Sequence, residues 1–118
     1  MHDIKTIYQN HLGTSFYWKK GEQLLSDRVQ VIFKDMGFYY TTQELQLFAN
    51  CIQDSFENNK SCMNCEFQQQ CQRFLLKTPN SQIDLAVTRN ELSAVKDLVM
   101  GTLFTINLEK YVYGEGLN

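Results

Sequence analysis

Three of the four cysteines stand close together, in the stretch SCMNCEFQQQC that runs from Ser61 to Cys71. Cys62, Cys65 and Cys71 have the spacing C-x2-C-x5-C, and thiolates placed in this way can hold a zinc ion or an iron–sulfur cluster. A tetrahedral site needs a further ligand, for which Cys51, His2 and His11 are the candidates. The same thiols can instead pair as a disulfide after oxidation in air, or pack as small hydrophobes. EFQQQCQRF suits a short helix in which Phe67, Cys71 and Phe74 share a face, and glutamines follow the second cysteine where a metal knuckle ordinarily has a turn former.

As a spacing, Cys62, Cys65 and Cys71 resemble the last three ligands of iron–sulfur base-excision glycosylases and of some CRISPR-associated nucleases, in which a more distant first cysteine precedes C-x2-C-x5-C. The resemblance implies a cluster on those residues and extends to no others. The glycosylases' helix-hairpin-helix glycine loop and basic DNA face have no counterpart here, nor does the nucleases' acidic-lysine core motif. Neither activity is therefore carried over.

Other catalytic chemistry finds little to work with. His2 and His11 are the only histidines, and Gly13, Gly21, Gly37 and Gly101 stand singly rather than in a phosphate-binding loop. No carboxylate pair lies in an apolar context. We expect a protein that is not an enzyme. A net charge of −2 leaves no basic footprint, with Lys19, Lys20 and Arg28 the nearest approach to one, so nucleic acid is not an expected partner. The opening MHDIKTIYQNHLG is not a secretory signal, and no run of about 20 apolar residues could span a membrane. The expectation is a cytoplasmic protein with reduced thiols and no membrane partner.

At 118 residues the chain has the length of a single domain, large enough for a core without disulfides. Val29, Val31 and Phe33 alternate, and Phe38 and Tyr40 resume the alternation after Lys34–Gly37, which predicts a hairpin. Ser15–Lys19 can add a strand, while the first dozen residues are ambiguous. Thr41 and Glu44 have the spacing of a capping box, followed by an apolar stripe of Leu45, Phe48, Ala49, Ile52 and Phe56 at helical period. The order then recurs. Phe74 and Leu76, a Pro79–Ser81 turn, and Ile83, Leu85 and Val87 predict a second hairpin; Thr88 and Glu91 repeat the cap; Leu92, Val95, Val99, Leu103 and Ile106 form a second stripe.

A shift of 47 positions lays Thr41 on Thr88, Glu44 on Glu91, Leu45 on Leu92 and Ile52 on Val99. Hairpin-then-helix units share much of this pattern by necessity, yet the single register raises an internal pseudo-repeat. The predicted fold is a single α+β domain over residues 1–118, with units at about 28–57 and 73–113 joined by the cysteine-bearing segment 58–72. We expect a two-layer sandwich, in which both hairpins join one antiparallel sheet of four to five strands and two main helices cover its apolar face. Tyr17, Trp18, Tyr39, Ile4, Ile7 and Tyr8 are candidates for the opposite face. Cys51 aligns with Leu98, which predicts packing beside the core stripe.

The second helix carries more apolar surface than one sheet can cover. Met100, Phe104, Leu108 and Tyr111 fall on a face turned about 120° from the core stripe. Either the first strands cover this face or another molecule does. The expectation is a homodimer or another protein partner, and the function that follows is a non-catalytic interaction or structural module self-associating through its C-terminal helix. The alternative is a metal-binding or thiol redox protein that uses Cys62, Cys65 and Cys71.

Overall fold

The structure, a computed structural model, describes residues 3–58 and 73–112. Strands β1 (Asp3–Asn10), β2 (Gly13–Lys20), β3 (Gln23–Phe33) and β4 (Met36–Tyr40) form an antiparallel meander in that order. Helix α1 (Thr42–Asn58) follows. Strands β5 (Phe74–Lys77) and β6 (Asp84–Val87) then make a separate two-stranded sheet, and α2 (Arg89–Val112) completes the described chain. The class is α+β. The two predicted hairpins do not join one sheet: β3 pairs on one edge with β4 and on the other with β2, while the short β5–β6 hairpin packs against the helices.

The ambiguous first residues form β1, and its irregularity explains why its period was hard to read. Register slips between Thr6 and Tyr8, so Ile7 is a bulge. On a regular strand Ile7 and Tyr8 would point to opposite faces. Here Ile7 enters the core and Tyr8 also reaches α2, its hydroxyl donating to Asp97 Oδ1 at 2.9 Å. A second slip leaves Tyr17 alone opposite the interval 26–29 of β3, and Tyr17 too is a core residue. Of the six candidates for the opposite sheet face, Tyr17, Ile7 and Tyr8 therefore belong to the helix side.

Turn chemistry sets the hairpins. Asn10 Oδ1 accepts from the backbone N–H groups of Leu12 and Gly13, both at 3.0 Å, which closes the β1–β2 turn. A Cβ at Gly13 would lie 2.4 Å from the Ile32 carbonyl oxygen and 2.7 Å from Leu98, so only glycine fits between β3 and α2.

Both helices begin as their sequences predict. Glu44 N–H donates to Thr41 Oγ1 at 3.1 Å while Thr41 N–H donates to Glu44 Oε1 at 2.9 Å, and Thr88 and Glu91 repeat the exchange at 3.2 and 2.9 Å. Caps of this kind contribute about 1 kcal/mol each. Leu45, Phe48 and Ile52 of α1 meet Leu92, Val95, Val99 and Ile106 of α2 in one core with Val29, Val31 and Phe33 of the main sheet and Leu76 and Val87 of the small one. Ala94, Leu98 and Thr102 widen the buried arc of α2, because that helix touches α1, β1, β2 and β6. Within this arc the fully buried hydroxyls of Ser15 and Thr102 lie 2.6 Å apart. Thr102 donates to the Leu98 carbonyl at 2.6 Å, which leaves its oxygen to accept from Ser15.

Candidate interaction surface on the C-terminal helix

Helix α2 has 24 residues, about 36 Å at 1.5 Å per residue. Its inner arc is fixed by the core. One flank is fixed by β1, through a series of contacts spaced along the helix. Asn10 Nδ2 donates to the Ala94 carbonyl at 2.8 Å and to Asp97 Oδ2 at 3.0 Å, and Tyr8 donates to the other oxygen of Asp97. The Tyr8 ring lies against Gly101, where a Cβ would come within 2.5 Å of it, and Lys5 pairs with Glu109 at 3.6 Å. Glycine in mid-helix costs about 1 kcal/mol relative to alanine. Close approach by an aromatic ring is what Gly101 permits. The Asp97 contact also raises the Tyr8 phenol above its ordinary value, chiefly through the hydrogen bond itself, which holds the proton on oxygen.

Since β1 lies along a flank, it leaves the face beyond it open. Met100, Phe104, Leu108 and Tyr111 are 49%, 67%, 49% and 63% exposed, and Val112 at the end of α2 is 61% exposed. Spacings of four, four and three residues keep the first four on one side of the helix. Nothing polar interrupts this row except Asn107 on its margin. The structure thus brings the four predicted interface residues together as a continuous apolar strip, and the first strands do not cover it.

The predicted metal ligands fare differently. Cys62, Cys65, Cys71 and His2 lie outside the described residues. His11 is exposed in the β1–β2 turn, and Cys51 is half-buried on α1, packed against the core. Burial pushes the Cys51 thiol up, with Asp54 adding to the effect, so the thiolate that a metal or a nucleophile requires is disfavoured there. Among the described residues no three histidine, cysteine, aspartate or glutamate side chains gather as a metal site. Cys51 lines a hollow of about 550 Å³ with Asp54, Ser55 and Lys77, between α1 and the β5–β6 turn.

Sequence reasoning missed the β1 flank. The signal was present in Gly101, an isolated glycine within a strong helical pattern, together with the three residues Tyr8, Asn10 and Asp97 that surround the approach. Among the described residues no helix is long and apolar enough to cross a membrane. No protein-family model, curated protein or solved structure matches the chain.

Proposed function

We propose that this chain is a non-catalytic, cytoplasmic interaction module that pairs with a second copy of itself through the outer face of α2. The strip of Met100, Phe104, Leu108 and Tyr111, exposed along a helix anchored on its inner arc and on one flank, supports this most directly. Pairing about a twofold axis near Phe104 sets the two helices antiparallel. Met100 then meets Leu108 of the other copy.

Sedimentation velocity tests the proposal. The native chain is expected at twice its 13.8 kDa mass, and the double variant Phe104→Asp, Leu108→Asp is expected as a monomer with an unchanged far-ultraviolet circular dichroism spectrum. Equal sedimentation of the two proteins would sink the proposal.

A second proposal, in which Cys62, Cys65 and Cys71 bind zinc or an iron–sulfur cluster, is supported by their spacing. Elemental analysis of protein purified without chelator and without air decides it. A stoichiometric amount of zinc or iron supports the site, and less than about a tenth of an equivalent retires it, because structural sites hold metal tightly enough to survive purification.

We also propose that β3–β4–α1 and β5–β6–α2 are copies of one unit, each with its helix layered on its hairpin as half of a two-layer sandwich. Arg28 pairs with Glu44 and Arg73 pairs with Glu91, each cation standing one residue before the matching strand positions Val29 and Phe74, within β3 in the first unit and ahead of β5 in the second, and each carboxylate in the capping box. The offset is 45 positions from Val29 to Phe74 and 47 from Phe38 to Leu85; the second hairpin loop is longer by the difference. Ser55 and Thr102, also 47 apart, are both buried hydroxyls. If the units are copies, divergent relatives aligned half against half will keep the 45 and 47 offsets; relatives that scatter around other offsets would refute it.

A further inference from the structure

The side of the main sheet away from the helices carries its own constellation. Cross-strand pairing sets Ile4 opposite Trp18 and Trp18 opposite Leu25, while Phe16, Gln30 and Tyr39 form the neighbouring row. Directly opposed residues share a face, so the two rows make one surface across the sheet. Phe16 is buried with its ring edge-to-face against Trp18, the centroids 5.0 Å apart. The Trp18 indole N–H donates to Gln30 Oε1 at 3.2 Å, and Gln30 Nε2 donates to the Phe38 carbonyl at 3.2 Å. These contacts fix the indole plane in advance. With Leu25 and Tyr39, Trp18 walls a hollow of about 300 Å³ whose remaining lining is Lys19 and Lys20.

The charges around this hollow are unequally committed. Arg28 is held by Glu44 at 3.2 Å and lies over the Tyr39 ring at 5.8 Å. Lys19 and Lys20 make no ion pair among the described residues. Along β2, Lys20 alternates onto the Trp18 side, whereas Lys19 shares the helix side with Ser15 and Tyr17 and stands opposite Asp3. An aromatic wall beside the Lys20 ammonium group is complementary to a flat apolar body with a negative arm.

We propose that this hollow binds a small planar aromatic compound bearing an anionic group, the chemistry shared by nucleoside monophosphates and aromatic carboxylates. The ring lies along Trp18, Leu25 and Tyr39, and the anion reaches Lys20. A volume of about 300 Å³ stands at the lower end of the range of ligand pockets, enough for one fused ring system. A long nucleic acid fits less well, because a chain of net charge −2 gains little from many phosphates. A second copy of this chain fits less well too, since a twofold contact through this face would bring the lysines of both copies together.

The chain has one tryptophan, so its indole N–H gives a single nuclear magnetic resonance signal at the wall of the hollow. AMP titrated beside adenosine, and 2-naphthoate beside 2-naphthamide, are followed by that signal in the native protein. The expected result is a saturable shift in which the anionic member of at least one pair half-saturates at a concentration about ten-fold below its uncharged counterpart. Which pair responds separates a nucleotide from a carboxylate. Lys20→Ala is expected to abolish that ratio while the uncharged member binds as before, and Tyr39→Ala to weaken both members. Absence of a shift with all four compounds, or half-saturation at the same concentration with and without the negative charge, overturns the proposal. The same titrations on the Phe104→Asp, Leu108→Asp variant are expected to be unchanged, which keeps this site separate from the pairing of α2.

Discussion

Strands β3 and β4 with α1 obey the same local rules as β5 and β6 with α2, yet only the first hairpin grows into a larger sheet. Strand length makes the difference. β3 has 11 residues and pairs along its second edge with the eight-residue β2, whereas β5 and β6 have four residues each, form a sheet of their own, and pack against α1 and α2. The helices diverge as well, with 17 residues in α1 and 24 in α2. The longer helix takes β1 on one flank and still has apolar surface left over. One local pattern thus serves two ends, a sheet that is extended and a helix that keeps an exposed apolar row.

The comparison is broken most severely in the core. Leu45 and Leu92 occupy matching positions and both are 0% exposed. Leu45→Ala and Leu92→Ala are each expected to cost about 2–5 kcal/mol in chemical denaturation, with the two costs similar. A loss confined to one of them would show that the units do not carry equal weight.

A smaller effect sharpens the contrast between the helices. Gly101→Ala improves helix propensity by about 1 kcal/mol but drives a methyl group into the Tyr8 ring. It is expected to destabilise the native chain by about 1 kcal/mol and to stabilise the Tyr8→Ala chain by a similar amount. If the substitution has the same sign in both backgrounds, β1 does not hold the flank of α2.

The smallest effect concerns the two capping carboxylates. The Lys34 ammonium chiefly holds the Glu91 carboxyl below its ordinary 4.5, with the Thr88 backbone N–H and Arg73 adding to it. Glu44 is lowered chiefly by the Thr41 backbone N–H, and Arg28 contributes less. A folded-state value below the unfolded one means stability that is present above about pH 4.5 and lost as pH falls through the folded value. Glu91→Gln is therefore expected to flatten the acid side of the stability profile more than Glu44→Gln, since two cations reach Glu91 and one reaches Glu44. Equal flattening would mean that these surface ion pairs add nothing to the caps.

Much of this arrangement could be read from residue patterns. β4, both helices, both caps and both buried stripes follow from period, cap spacing and turn residues, all of which act over a few positions. β1 and the beginning of β3 were obscured because the bulge at Ile7 and the surplus of residues opposite Tyr17 break the alternation that identifies a strand. The choice of neighbours for β3 and β5 depends on edges brought together from distant parts of the chain, which local period does not encode. The exposed row on α2 was legible because its spacing fixes its direction once the inner stripe is known. The hollow at Trp18 was legible only as a set of apolar candidates, half of which face the helices: Ile7 and Tyr8 through the bulge, and Tyr17 through alternation with Phe16 and Trp18. The cysteine segment lies outside the described residues, and its chemistry rests on spacing alone.

A helix as widely greasy as α2 would be free to seat one turn, about 5.4 Å, up or down its groove if apolar contact alone held it; the β1 contacts oppose this on its flank, and a polar pair opposes it in the core. The hydroxyls of Ser15 and Thr102 act as a dowel against such sliding, because a displaced seating breaks the contact between them, a loss of about 0.5–1.5 kcal/mol, and leaves each with only its carbonyl partner, Tyr8 for Ser15 and Leu98 for Thr102. Thr102 is two residues from Phe104, so the dowel also sets how far along the molecule any partner of that helix must come to rest.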